Sequence, residues 1–557
     1  MCGILFYASK SNAVTIEPSD WFDNIAHRGP DNTTVQTYKD DNFNLFFGFH
    51  RLAINGLDSA SNQPMQLNGC ILICNGEIFN YRQLIESENI TDYSTHSDCE
   101  IIIHLYKKYG IYQTLNMLDG EFAFVIYDIE YKVIYVARDH LGIRPLFVGC
   151  DESNEHFIFA SEYKAIPREF IVKQFPPRTY ATLTQGESPT NDNNYLLPNH
   201  IVYTTCPYYT IPRVENTHDI TVDEMINNIR QLLTDAVDKR LMSDVPIGCL
   251  LSGGIDSTIV TGLVASRFPP NMINTYTIGM KGSVDVEFSI MAANHFKTNH
   301  HIVEYDSSEF IAAIRETIFH IESYDVTTVR ASIGNYLVSK WISKNTTDKV
   351  IFCGDVADEL FGSYRGFMYA ENTNDFELEN RRLVENIHFF DVLRSDRSIS
   401  GAGLEARVPF GDKFLLNYVM GHMPTMRKMW GNSQDNNSTL FHIEKYILRK
   451  AFEDMLPVEL TWRQKTAFSD GVGCQETPWY CILKDHMETI YSDEEFNAKS
   501  QLYTHNKPYD KESLYYRELF EEHFGTDRGD IIPYFWKQPF MVCSDPSAWL
   551  AEESITV

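Results

Sequence analysis

The chain has 557 residues, 43% of them hydrophobic, with 76 acidic against 47 basic side chains and a formal charge of −29. That length implies at least two domains, and that apolar share excludes a disordered chain. The acidic excess leaves no basic face for nucleic acid or for an anionic membrane surface.

Residues 1 to about 200 read as many short strands, among them Leu45–Phe49, Cys70–Cys74, Phe122–Asp128, Val133–Ala137 and Phe157–Ala160. Two helical stretches interrupt them: Tyr81 to Glu88, and Asp98 to Gly110, where Ile101, Ile102, Leu105 and Tyr106 recur at helical spacing. Strands with a few helices predict a layered α+β domain. Residues 187–213 are rich in Pro, Asn, Thr and Tyr and read as a linker. Beyond it, Asp223 to Leu241 is amphipathic, with Met225, Ile226, Ile229, Leu232, Leu233 and Val237 on one face. The strands Val245–Leu251, Thr275–Ile278 and Lys349–Cys353 then alternate with helices, which predicts a doubly wound parallel α/β sheet. The chain after about 380 reads as mostly helical. The expected domains are residues 2–200 and 214–557.

Eleven cysteines are scattered without a CxxC pair, and Cys70/Cys74 has no matching histidines. Neither a disulfide framework nor a zinc site is expected, and a reducing compartment fits. Asp20 and Asp23 arrive before any signal-type apolar stretch, and no run reaches the ~20 apolar residues of a membrane span. A cytoplasmic protein is expected.

Three groups of residues carry chemistry. Cys2 follows Met1 and precedes Gly3-Ile4-Leu5-Phe6. Removal of Met1 leaves a thiol and a free α-amine on one residue, and an amine with a pKa of about 8 can take the thiol proton. Arg51 can clamp a carboxylate, Asn75-Gly76 at a strand end can form an oxyanion hole, and Asp98 can hold an α-ammonium. Asn-Gly is equally a turn signature, and Asp98 equally a helix N-cap. Taken with Cys2, they describe a site for glutamine.

The second group is Ser252-Gly253-Gly254-Ile255-Asp256-Ser257, directly after an apolar strand and before the helix Thr258–Ser266. Its glycines let backbone approach a phosphate, and the helix start presents free N–H groups. Asp256 repels a phosphate directly, so its expected role is to hold Mg²⁺ against one. The third group, Cys353-Gly354-Asp355-Val356-Ala357-Asp358-Glu359, also ends a strand. In a doubly wound sheet Asp355 and Asp358 then face the same crevice as Asp256, where acids suit Mg²⁺ or general-base work. An acid-rich helix start is the alternative reading.

These motifs resemble the glutamine-hydrolysing asparagine synthetases, whose N-terminal domain is a class II glutamine amidotransferase. The likeness spans nearly the whole chain: MCGIL, HRGPD at 27–31, RLAI, NGE, LDGEFAF at 118–124, RDHLGIRPL at 138–146, VPIGCLLSGGIDS, ESYDVTTVRAS at 322–332, LEARVPF at 404–410 and RQKTAFSDGVG at 463–473. The resemblance implies an Ntn-hydrolase-like αββα sandwich followed by an ATP-pyrophosphatase-like domain with a helical C-terminal part. It implies Cys2 as nucleophile with Asn75 and Gly76 at the oxyanion, and Arg51, Leu52, Ala53, Ile54, Asn55, Glu77 and Asp98 around glutamine. Leu250, Leu251, Ser252, Gly253, Gly254, Asp256, Ser257, Ile278, Cys353 and Gly354 are implied to line the ATP site. Asp355 and Lys465 are implied in adenylate chemistry, Thr327, Thr328 and Arg330 in aspartate or phosphate contacts, and Asp256 and Asp358 in Mg²⁺ binding. The implied reaction joins aspartate, ATP and glutamine through β-aspartyl-AMP, with an enclosed path for ammonia. Nucleic acid and membrane are not expected partners, and a homodimer is the assembly to test.

Three positions depart from that family. Cys353 stands where a serine is usual, Val356 where glycine is usual, and Gly411 where leucine is expected. If the backbone at 356 needs φ > 0, valine carries strain of roughly 1–3 kcal/mol.

Overall fold

The computed structural model describes residues 1–13, 17–189, 196–214, 220–430, 443–465, 471–474 and 478–541. They form two compact units, Met1–Thr210 with Met242–Val245, and Ile211–Leu241 with the chain from Pro246.

The first unit is built on two six-stranded antiparallel sheets. One runs, in spatial order, Ile171–Gln174, Phe147–Cys150, His156–Ala160, Gly3–Lys10, Phe43–Arg51 and Asn32–Lys39. The other runs Leu196–Pro207, Thr179–Pro189, Val133–Arg138, Gly120–Asp128, Cys70–Ile78 and Met65–Leu67. Alternation of side chains along a strand explains the layering. In Cys70–Ile78, Ile71 and Ile73 face the first sheet, where they join Ile4, Phe6 and Phe47 in the inter-sheet core. Cys70, Leu72 and Cys74 face the other way, against Ile102 and Leu105 of the helix Ile101–Met117. A strand buried on both faces reads as an unbroken apolar run. The outer face of the first sheet is covered thinly by the short helix Ser19–Phe22 and the turn Asp23–Arg28. There Phe22 stacks on His50 at 3.7 Å. The layers are therefore αββα with a reduced fourth layer.

One element expectation needs correction. Part of the stretch expected as a linker is the strand Leu196–Pro207, which pairs antiparallel with Thr179–Pro189. Its run Ile201-Val202-Tyr203-Thr204-Thr205 is β-branched and aromatic, and pairing at a sheet edge overrides the flanking prolines. Residues 190–195 lie outside the described ones. The helix expected to end at Gly110 does break there, at φ +75° and ψ 170°, and a second helical stretch runs on to Met117.

The second unit holds a five-stranded, fully parallel sheet. Its spatial order is Asn299–Glu304, Asn274–Gly279, Ile247–Leu250, Val350–Phe352 and Glu405–Arg407. Counted along the chain this is 3-2-1-4-5, so the order reverses between Ile247–Leu250 and Val350–Phe352. A crevice opens at the C-terminal ends of strands on either side of such a switch. The helix Val222–Lys239 starts with a capping box between Thr221 and Glu224 and buries Met225, Ile229, Leu233 and Val237. Among the described residues no helix is long and apolar enough to cross a membrane.

Candidate active sites

In the first unit Cys2 is half-buried at the start of the strand Gly3–Lys10. Its backbone N–H donates to Asn75 Oδ1 at 3.0 Å, and its Sγ lies 3.8 Å from the Leu52 carbonyl oxygen. The N–H contact orients the Asn75 amide, since only oxygen accepts. Asn75 Nδ2 is then buried with no partner among the described residues and can donate. A buried donor left unmatched in this way is a place for a developing negative charge. Gly76 is required by crowding: a Cβ there would lie 2.4 Å from the Glu121 carbonyl oxygen.

Behind Cys2, Arg28 Nε donates to the Cys2 carbonyl at 3.0 Å, and its NH1 pairs with Glu162 at 2.7 Å. Lys164 meets Glu162 at 2.6 Å, and His27 lies against it. Burial opposes charge on Glu162, but Lys164, His27 and Arg28 hold its carboxyl well below the usual range. Sequence reasoning assigned no role to Arg28 or Glu162, although HRGPD was visible as a string.

The expected glutamine residues are brought to the same strand ends, but their side chains are engaged within the protein. Arg51 donates to the Asp58 carbonyl at 2.8 Å, to Asn62 Oδ1 at 2.7 Å, and to the Asn55 and Gly56 carbonyls. Its guanidinium organises the loop 55–62 rather than standing open for a carboxylate. Asn55 donates to Glu77, Ala53 N–H to Asp31 at 2.8 Å, and Ile78 N–H to Asp98 at 2.6 Å. Leu52 and Ile54 are buried. Ser97, not Asp98, caps the following turn.

The second unit has a cavity of about 210 Å³ at the sheet's switch point. Every residue expected at the nucleotide except Gly253 lines it, together with Asp355, Asp358, Thr327 and Lys465. Gly253 supports the loop from behind. At φ +73°, a Cβ on it would come within 2.5 Å of the Phe288 backbone. Ser252 and Ser257 hold the loop closed by a 3.1 Å hydroxyl contact, and Gly254 N–H donates to Ser252 Oγ at 3.3 Å. The helix Ile255–Ala265 starts at the loop and so aims its first N–H groups into the cavity.

Charge in the cavity is finely divided. Lys445 bridges Asp256 and Asp358, and Lys465 also meets Asp358 at 2.5 Å while lying 4.5 Å over the Tyr364 ring. Burial opposes charge on Asp358, yet the two ammonium groups hold it well below the carboxylate range. Burial pushes Asp256 up, Lys445 partly offsetting and Asp358 adding. Asp256 Oδ1 is buried with no hydrogen-bond partner among the described residues. Asp355 is held by Arg394 at 2.7 Å and by the Ser395 hydroxyl, and Arg394 also meets Asp391 at 2.8 Å. Arg463 pairs with Asp285 at 2.6 Å and reaches the Ser252 carbonyl at 3.3 Å.

Two of the three candidates for aspartate or phosphate contacts are turned elsewhere. Thr328 donates to Asp325, which caps the helix Val326–Asn345. Arg330 forms a buried two-point pair with Glu512 at 2.8 and 2.6 Å. Only Thr327 lines the cavity. Phe468 and Ser469, which flank Lys465 in the resemblance, lie outside the described residues.

Residues 1–199 match the glutamine amidotransferase domain family, and residues 228–385 and 376–550 match the asparagine synthase family. Glutamine-hydrolysing asparagine synthetases of Mus musculus and Homo sapiens are 37% and 36% identical to the chain, each comparison covering 98% of both sequences. A probable one from Acanthamoeba polyphaga mimivirus is 35% identical over 98% of this chain and 99% of its own. The chain belongs to the asparagine synthetase family.

Within this asparagine synthetase fold the departures have definite geometry. Cys353 is buried, and its Sγ lies 3.7 Å from the Arg407 carbonyl oxygen, so its weak donor points at backbone. Burial pushes its thiol well up and Asp355 adds to this, so it stays protonated. Val356 adopts φ +80°, ψ −23°, the left-handed conformation that suits glycine. Lys445, Arg394 and Asp391 line the cavity with no spacing signal in the sequence to mark them, and Glu359, the last residue of the third group, joins them.

Proposed function

We infer that this chain makes asparagine from aspartate with ATP, taking nitrogen from glutamine. The observation that carries the reading is one chain holding both a cysteine–asparagine pair with an unmatched amide donor and a phosphate-type loop at a sheet switch point.

For glutamine, trimming of Met1 frees the Cys2 amine, which takes the thiol proton. The thiolate attacks the amide carbon, and the oxyanion receives hydrogen bonds from Asn75 Nδ2–H and the Gly76 N–H. The C–N bond breaks, the leaving nitrogen takes the proton back from the amine as ammonia, and water hydrolyses the thioester to glutamate. Arg28 keeps the Cys2 backbone in place through its carbonyl. For aspartate, a side-chain carboxylate oxygen attacks the α-phosphorus of ATP and pyrophosphate leaves, giving β-aspartyl-AMP. Ammonia then attacks the acyl carbon, and AMP leaves. The loop Ser252–Ser257 and the helix start behind it suit the departing phosphates, and Lys465 and Lys445 offset their charge.

The donor set fits Mg²⁺. Two hard carboxylates, Asp256 and Asp358, converge on a cation already, one oxygen of Asp256 is unmatched, and this metal takes few protein ligands beside phosphate and water. When bound, Mg²⁺ would neutralise phosphate charge. We also propose a cytoplasmic homodimer. The ten described cysteines are all free thiols, which suits a reducing compartment. A mass in solution near twice the 64.3 kDa chain mass is the test of the dimer.

Purified protein given aspartate, ATP and glutamine should release asparagine, AMP, pyrophosphate and glutamate together. Cys2→Ala should abolish glutamine use and leave synthesis from ammonium salt intact. Glutamate without aspartate-dependent AMP would sink the synthetase half, and loss of both nitrogen sources in the variant would sink the two-site account.

A further inference from the structure

Lys428 is a buried lysine that neither chemistry uses. It follows the turn Thr425–Arg427 and is 7% exposed. Its Nζ donates to Asn380 Oδ1 at 2.9 Å and touches Met420 Sδ at 3.4 Å. An ammonium only donates, so this bond turns the amide oxygen of Asn380 toward the lysine and its NH₂ away. That NH₂ donates to the backbone carbonyl of Glu359. Two residues beyond the lysine, Trp430 Nε1 donates at 3.1 Å to the carbonyl of Gly362, the left-handed residue ending the same helix.

The helix so held is Ala357–Phe361, which carries Asp358 and Glu359 into the cavity. Five residues are too few for a helix to hold itself, and this one begins at the strained Val356. Its geometry must therefore come from its neighbours, and the segment 428–430 supplies two of the fixings. The charged groups facing Lys428 are Glu377 and Arg381, both on the helix Thr373–Asn386 that carries Asn380. From the helix Lys413–Gly421 it meets only a thioether. Burial lowers its pKa to about 7, Glu377 opposing and Arg381 adding. A methionine of similar length would fill this space without a buried charge but would leave the buried Asn380 amide oxygen without its donor. What the lysine adds is a donor aimed at Asn380.

We propose that Lys428 is a positioning residue for the ATP-dependent site, setting the helix Ala357–Phe361 through Asn380. The proposal rests on the reading that this cavity runs the aspartate-dependent step. Lys428→Met and Asn380→Asp in the full-length protein test it. Asn380→Asp keeps an acceptor for the lysine and removes the donor to Glu359. Both variants should lower kcat for aspartate-dependent pyrophosphate release about tenfold, leaving KM for aspartate and the rate of glutamine hydrolysis unchanged. Lys428→Met should also exchange its amides at 357–363 faster. A stable Lys428→Met with unchanged kcat and amide exchange overturns the proposal. If that variant does not fold, an unchanged kcat in Asn380→Asp overturns it instead. If wild type hydrolyses glutamine but releases no pyrophosphate with aspartate, the functional reading fails, and the amide exchange still decides the positioning.

Discussion

Val356 is β-branched, buried, and held at φ +80° where glycine would rest without strain. Two effects therefore compete in Val356→Gly. Removing the side chain loses about 1.5–3 kcal/mol of burial, and releasing the backbone returns roughly 1–3 kcal/mol. Val350, fully buried in an ordinary strand, has burial to lose and no strain to release. Denaturant melts should show Val356→Gly within about 1 kcal/mol of wild type and Val350→Gly down by about 3 kcal/mol or more. Equal losses at both positions would mean that the strain at 356 is not felt. The strain was legible before any coordinates, because glycine is usual at that place in the motif. Lys445 was not legible: it meets Asp256 across 189 residues of chain, and a single lysine outside any periodic pattern carries no mark of its partner. Arg330 shows a different gap. It sits inside a family string, yet its fork is matched by the carboxylate of Glu512, which no local pattern announces.

Among elements, Asn299–Glu304 and Glu405–Arg407 are largely polar and carried no strand signal, whereas the other three parallel strands were readable as short runs, two of them closed by glycine motifs. The strand Leu196–Pro207 was not, because prolines and asparagines flank it and only pairing with Thr179–Pro189 decides its conformation. The order of strands was equally hidden, and it is the order that brings two distant loops together. Gly354 shows how close they come. A Cβ there would lie 2.7 Å from Ser257 N and 2.9 Å from the Asp256 carbonyl carbon, contacts with backbone that cannot swing aside. Gly354→Ala must push the two loops apart by several tenths of an ångström, enough to misplace groups that act on one phosphate. AMP formation should fall about tenfold or more while glutamine hydrolysis is untouched. An alanine variant with full AMP formation would show that loop spacing does not limit the rate. Asp256 and Asp358 thus belong to one site through packing rather than through any spacing in the chain.

At the scale of the whole molecule, composition correctly excluded disorder, but it said nothing of how a chain with charge −29 distributes its buried acids. The structure buries them in two opposite settings. Asp325 and Asp510 are pushed by burial up to about 6, so their contribution runs against the fold as pH rises from the ordinary carboxylate range through 6. Asp412 is the reverse case. Burial opposes its charge, but Arg240 at 2.8 Å and Lys239 outweigh this and hold it at about 2, while the same carboxylate caps the helix Lys413–Gly421. Its folded pKa lies below its unfolded value, so its stabilisation is complete above the unfolded value and is lost as pH falls toward 2. Asp412→Asn keeps an N-cap but takes the carboxylate charge away from the buried Arg240 and the half-buried Lys239, a change that costs about 3–5 kcal/mol. Chemical denaturation should show that deficit in full at neutral pH and show it closing as the buffer is taken below the ordinary carboxylate range. The direction is fixed by protonation: wild-type Asp412 becomes neutral there, and the two proteins then carry the same charge at this position. A deficit of constant size down to pH values near 2 would mean that Asp412 acts through its cap and packing alone, with no net contribution from its charge.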